Sequence, residues 1–191
     1  MTLHSCWAKV ERAKEHCDAL NAAVAEIFSV EANIPILGTR AESQGDGLYK
    51  NIVYVSHASD LSVPLARVGL TLGDAIHNLR SALDHLAYGL SISNKANLTQ
   101  AEERTIYFPI CGDASDWGRK VETDLRFVGG TDRDIIRRHQ PYLRPDSIAV
   151  SNAPVGFHPL LALHRLDIID KHRLIPTIVT DAGVSAATPL I

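Results

Sequence analysis

The sequence has few of the features that stabilise small secreted proteins or anchor proteins in membranes. It contains three cysteines in 191 residues. Cys6, Cys17 and Cys111 match neither an even-numbered disulfide framework nor a metal-ligand spacing. No apolar run approaches the roughly 18 residues of a membrane-spanning helix, and the charged, periodic N-terminus is unlike a signal peptide. We therefore expect a cytoplasmic protein with reduced thiols and no membrane partner.

A strong excess of charge of either sign is also missing. The chain carries 19 Lys and Arg against 22 Asp and Glu, a formal net charge of −3. Such a balance gives no global attraction to nucleic acid or to anionic membranes. Hydrophobic residues make up 46% of the chain, which is enough for a core, and the length fits one domain. We predict a single domain over residues 1–191.

Apolar residues recur mostly at helical spacing. Residues 3–28 predict a long helix with a near-heptad apolar seam. Proline and glycine then interrupt the pattern, and the β-branched and aromatic stretch YKNIVYVSH predicts a strand. We expect strands at 32–37 and 48–57, with a loop at 38–47 between them.

Helical patterns return after this interruption, at 71–90, 99–102, 115–127, 131–140 and 159–175. The fold predicted is mainly α, a helical bundle with an inserted β-hairpin at about 30–58 and a short C-terminal strand region at about 176–191. The chain ends on the apolar pair Leu190-Ile191. Such an ending is consistent with further sequence beyond it or with a small sheet completed by the hairpin.

The stretch Thr71–Leu90 is the most informative part of the chain. Its leucines and Ile76 form one apolar stripe at about 100° per residue. The other side carries acid–base, hydrogen-bonding and cationic types, namely Asp74, His77, Asn78, Arg80, Ser81, Asp84, His85 and Tyr88. Residues three and four apart on a helix are neighbours. We therefore expect Arg80 to reach Asp84.

The predicted helix 159–175 places two carboxylates, Asp167 and Asp170, on its own apolar face. An ionised carboxylate taken out of water without a partner costs several kcal/mol, so each should meet a cation or a strong donor. We expect this helix to pack against residues 71–90. The candidate partners of the two acids are Arg80, His77, His85, His164 and Lys171.

The segment Arg80-Ser-Ala-Leu-Asp-His85 resembles the R-x(4–6)-H signature of the HEPN superfamily. These are helical bundles, many of them metal-independent endoribonucleases that work as dimers. The resemblance implies that His85 takes the 2′-hydroxyl proton of RNA as general base while Arg80 stabilises the scissile phosphate. It further implies a toxin or defence enzyme without cofactor or metal, a homodimer, and an antitoxin or other protein partner. The residues expected to support the pair are Asp74, His77, Asn78, Asp84, Asp167, Asp170 and His172.

A broader resemblance covers most of the chain. The segments GDAIHNLRSALDHL and LHRLDIIDKHRL, with YFPI between them, are similar to a widespread group of uncharacterised bacterial proteins. Helix, hairpin, central helix, FPI segment and final helix come in the same order in that group. This resemblance implies no particular activity.

Two other functions remain open. In the first, a metal-dependent hydrolase or transferase resembling DinB-like bundles, the ligands would come from His77, His85, His164, His172, Asp74, Asp167 and Asp170. In the second, a non-catalytic dimerising or binding bundle, the Arg/His–Asp network is structural. The burial of Arg80 and His85 distinguishes the catalytic from the structural hypothesis. Enclosed and paired side chains favour a structural role, whereas side chains that line an open groove favour catalysis.

Overall fold

A computed structural model describes residues 3–30, 36–45, 48–56, 62–143, 158–172, 177–180 and 183–186. The chain divides into two compact units. The first unit contains residues 1–16 and 73–173, and the second contains residues 17–72 and 174–191. Both long helices contribute residues to each unit.

Helices dominate the described residues, which confirms the mainly α prediction. They are α1 (His4–Ser29), α2 (Ser62–Asn94), α3 (Gln100–Glu103), α4 (Ala114–Thr123), α5 (Gly130–Arg138) and α6 (Pro159–His172), with a 3₁₀ turn at Pro141–Leu143. The central helix α2 is 33 residues long and begins at Ser62, three residues before Leu65, the earliest start that the sequence predicts. Pro64 lies in its first turn, where a missing backbone N–H breaks no helical hydrogen bond.

Strands form two antiparallel pairs in the second unit. β1 (Ile36–Gly45) pairs with β2 (Leu48–Ser56), and β3 (Thr177–Thr180) pairs with β4 (Gly183–Ala186). The predicted loop at 38–47 is wrong, because pairing continues along β1 to Gly45 opposite Leu48. The other predicted strand residues, 32–35, lie outside the described residues.

Side-chain caps explain where two of the helices begin. At α3 the Thr99 hydroxyl accepts from Glu102 N and Glu102 Oε2 accepts from Thr99 N, a capping box that the sequence predicts. At α6 the His158 ring accepts from Leu160 N at 3.2 Å and Pro159 takes the first helical position. From its sequence, Thr131 is a candidate N-cap for the helix predicted at 131–140, but α5 begins at Gly130, and its N-cap Gly129 provides no side-chain bond.

The core of the first unit lies around α2 and the segment that follows α3. Its buried members are Ala87, Ile106, Phe108, Ile110, Leu125, Phe127, Val128 and Ile136. The most buried positions of α2 itself include small residues, such as Ala75, Ala82 and Ala87, whereas Leu79 of the predicted stripe is 37% exposed. Neighbours therefore cover α2 on more than its leucine side.

In the second unit, α1 and α2 pack through a second cluster. Among the described residues, Leu20, Ile27 and Val68 are its buried members, and Ala23, Val24, Leu65 and Leu72 pack against them. These residues follow the helical spacing on both α1 and α2.

Helix α6 lies directly against α2 in the first unit, as expected from the sequence. The carboxylate of Asp170 covers the backbone at Gly73, where a β-carbon would come within 2.8 Å of Asp170 Cγ. Leu160 packs against the core cluster at the other end of α6. Glycine at position 73 therefore allows the close approach of the two helices.

Two helix-interior glycines provide a matched test of this contact. Replacing either by alanine gains about 0.5–1 kcal/mol of helix propensity, and a β-carbon on Gly118 meets nothing within 4 Å. We expect Gly118→Ala to raise the free energy of unfolding, and Gly73→Ala to lower it by about 1–2 kcal/mol through overpacking. In an Asp170→Ala background, Gly73→Ala should stabilise as Gly118→Ala does. Equal effects of the two alanines in the wild-type chain, measured by urea titration, would contradict the α2–α6 packing.

Candidate functional site

The extended segment Ile106–Cys111 runs through the core of the first unit without strand pairing. Ile106, Phe108, Ile110 and Cys111 are each at most 6% exposed. Buried backbone N–H and C=O groups need hydrogen-bond partners. No neighbouring strand provides them among the described residues. Ile106 N and Tyr107 N donate to the backbone carbonyls of Glu103 and Asp124, and side chains bind Phe108, Pro109 and Cys111.

From α2, Arg80 and Asp84 bind both backbone groups of Phe108. Arg80 Nη2 donates to Phe108 O at 2.9 Å, and Phe108 N donates to Asp84 Oδ1 at 2.9 Å. Arg80 Nη2 also lies 3.1 Å from Asp84 Oδ1, and the two side chains are 13% and 30% exposed. The predicted Arg80–Asp84 pairing is thus confirmed, and together with the Phe108 backbone it forms what we call the Phe108 clamp.

Gln140, at the end of α5, binds the same segment further along. Its Oε1 accepts from Cys111 N at 2.8 Å, and its Nε2 donates to Pro109 O at 3.0 Å and to Ile136 O at 3.3 Å. The residue is fully buried. Nothing in the sequence singled it out, since glutamine is mostly exposed in folded proteins.

The acids of α6 do not meet the basic residues of α2 as expected. Asp167 is 4% exposed and accepts from Lys171 Nζ of its own helix at 2.7 Å. Asp170 forms no ion pair with any described residue and lies over Gly73 instead. The predicted pairing of these acids with Arg80, His77 or His85 is wrong, because Asp84 is one turn from Arg80 and reaches it first.

Two buried nitrogens of this region have no hydrogen-bond partner among the described residues, Arg80 Nη1 and His164 Nδ1. Burial lowers the pKa of His164, and the positive charges of Arg80 and Lys120 lower it further. Burial raises the pKa of Asp84, against the opposing effects of the Phe108 N–H and the Arg80 guanidinium. A neutral imidazole therefore lies in the neighbourhood of a fixed cation.

The other predicted site residues do not join this cluster. His77 is exposed and His85 half-buried, and neither forms a hydrogen bond or ion pair within the described residues. Asn78 donates to Asp74 O at 2.8 Å and accepts weakly from Lys9 Nζ at 3.4 Å, so the Asp74 carboxylate takes no part. His172 ends α6, and its side chain lies outside the described residues.

Metal-binding and membrane-spanning features are missing from the part of the chain that the structure describes. There, no three or more His, Cys, Asp or Glu side chains are grouped so that they could hold a metal ion. Nor does any helix of that part combine the length and the hydropathy needed to cross a bilayer.

Comparison with protein-family models, with curated proteins and with solved structures finds no match for the chain. The chemistry of the site therefore has to be argued from its own residues.

The Phe108 clamp should contribute far more to stability than an exposed ion pair within one helix. We expect Arg80→Ala to lower the free energy of unfolding by about 2–4 kcal/mol, since it leaves the Phe108 carbonyl without its donor and the Asp84 carboxylate without its cation. The matched control is Arg119→Ala, whose partner Asp116 lies 2.8 Å away with both side chains well exposed. That change should cost less than about 0.5 kcal/mol. Similar losses for the two variants in urea titrations would contradict the clamp.

Stability should fall as the solution becomes mildly acidic. The pKa of His164 is lower in the folded chain than in the unfolded chain, so the folded state binds fewer protons and loses stability as the pH falls through about 6.5. The raised pKa of Asp84 acts in the opposite direction and in a more acidic range. We expect the free energy of unfolding to be lower at pH 5.5 than at pH 7.5, and His164→Leu to reduce that difference. The exposed-residue control His77→Ala should retain the full difference, and an unchanged difference in His164→Leu would overturn the assignment.

Proposed function

We propose that the chain is a non-catalytic helical binding module, and that the network around Arg80 maintains its shape. The observation that supports this most directly is the use of the Arg80 guanidinium. Its Nη2 is committed to Phe108 O and Asp84, and the side chain is 13% exposed. A guanidinium that stabilises a transition state has to be free to bind the reacting group.

Each unit carries exposed apolar side chains that a partner could cover. Trp7 in the first unit is 64% exposed, and Val63 and Leu70 in the second are 69% and 62% exposed. Tryptophan is among the residues that contribute most of the binding energy at protein interfaces, and exposed aliphatic side chains add apolar area that a partner would remove from water. The partner that these side chains favour is therefore another protein rather than RNA.

A HEPN-like metal-independent endoribonuclease is the second candidate. It is supported by one observation: Arg80 Nη1 is buried without a hydrogen-bond partner among the described residues. A phosphate oxygen would satisfy it, and His85, half-buried and without a described partner, would be the general base. Against this, Arg80 and His85 point about 140° apart on one helix, so a site would need a residue from a second copy.

One set of assays separates these functions. We expect the purified chain to leave total RNA intact, with and without chelator, and His85→Ala to match the wild type in both RNA integrity and urea midpoint. If the wild type cleaves RNA in chelator and His85→Ala abolishes cleavage with an unchanged midpoint, the ribonuclease is correct. If chelator itself stops the cleavage, the metal-dependent enzyme is correct. Arg80→Ala is informative only for stability, because it removes the Phe108 clamp as well as any catalytic cation.

A further inference from the structure

A groove of about 390 Å³ lies between α1 and α2 in the second unit. The apolar part of its lining includes Ala19 and Ala23 on α1, Val30 directly after α1, and Val63 on α2. Val30 and Val63 are 50% and 69% exposed. Aliphatic side chains that line a groove at these exposures leave apolar area in water that a partner would cover.

Each wall of the groove carries one charged side chain. Glu26 is on the α1 wall and Arg67 on the α2 wall, and both are exposed. Neither side chain forms an ion pair or hydrogen bond within the described residues, although their backbone carbonyls accept from Ser29 and Thr71. The groove therefore presents one acid and one base, each available to a partner.

Beside the groove, α2 presents a ridge. Val63, Arg67 and Leu70 follow the i, i+4, i+7 spacing of one helix face, and Leu70 is 62% exposed. The small side chains of Ala19 and Ala23 on the opposite wall leave space for a ridge of this size. Ridge and groove are thus complementary features of the same surface.

We propose that this surface binds a second copy of the chain around a two-fold axis. A two-fold interface brings the same surface of both copies together. Glu26 of one copy would then face Arg67 of the other, twice, while the Val63–Leu70 ridge of each copy enters the groove of its neighbour. The four helices that meet would form a bundle, the usual arrangement for pairs of helices with one uncovered apolar face.

The charge pattern favours a second copy over other occupants. A nucleic acid requires several cations along its phosphates, whereas the groove provides one cation matched by one anion. A self-complementary pair of opposite charges is what a symmetric interface between identical chains needs. A second copy of the chain is then the partner of the proposed binding module, and the proposal rests on that function only in naming this partner.

Charge reversal in trans provides the test. In sedimentation equilibrium from micromolar to submillimolar concentrations we expect the wild type to dimerise. Glu26→Arg and Arg67→Glu should each raise the dimer dissociation constant about tenfold or more, because each variant places like charges opposite each other twice. An equimolar mixture of the two variants should regain wild-type association, since both contacts between unlike copies are again of opposite sign.

Controls keep the outcomes distinct. Glu122→Arg reverses an exposed charge on α4, outside the groove, and should leave the dissociation constant unchanged; circular dichroism should show every variant folded. A wild type that stays monomeric, or a dimer that tolerates both reversals, overturns the proposal. So does a mixture that associates no better than its components. Cleavage of RNA by the wild type would contradict the non-catalytic function but would not affect the evidence for the dimer. A chain that does not dimerise would contradict the dimer but not the non-catalytic function.

Discussion

The first unit depends on satisfying the backbone of a buried segment that has no neighbouring strand. An unpaired N–H or C=O in the core costs about 1–3 kcal/mol, and the Ile106–Cys111 segment buries several of them. Arg80 and Asp84 hydrogen-bond to the backbone of Phe108, and Gln140 hydrogen-bonds to the backbone of Pro109 and Cys111. Helices α2 and α5 are thereby fixed relative to the segment between them, and the apolar side chains of the segment fill the core.

This constraint also decides how the polar face of α2 should be interpreted. A cation and a carboxylate four residues apart have the composition of an active site, but here their hydrogen bonds are used by the backbone of Phe108. Burial shifts the pKa of Asp84 upward and that of His164 downward, and structural networks shift pKa values as readily as catalytic ones do. The geometry, more than the shifts, favours the structural interpretation.

Sequence patterns correctly predicted the interactions between residues that are only a few positions apart along the chain. The helix periodicity of α1 and α2, the Thr99 capping box, the start of α6 at Pro159 and the Arg80–Asp84 spacing all follow from interactions over three or four positions. The role of Phe108 and Gln140, and the contact of Asp170 with Gly73, join residues 24 or more positions apart. Such contacts depend on how elements pack, which periodicity does not encode. The predicted partners of the α6 acids on α2 were therefore wrong, whereas Lys171, four residues from Asp167 on the same helix, was predicted correctly.

The same helix contributes to a cluster of buried side chains in each unit. Residues 73–94 of α2 contribute to the cluster around Phe108, and among the described residues Val68 packs with Leu20 and Ile27 of α1 in the second unit. Burial of apolar area is the main source of stability, so a partner that covers the exposed valines and leucine of this helix pair would stabilise it. Binding to the folded state adds to stability in proportion to the logarithm of partner concentration. Association and folding of the second unit are therefore expected to be thermodynamically linked.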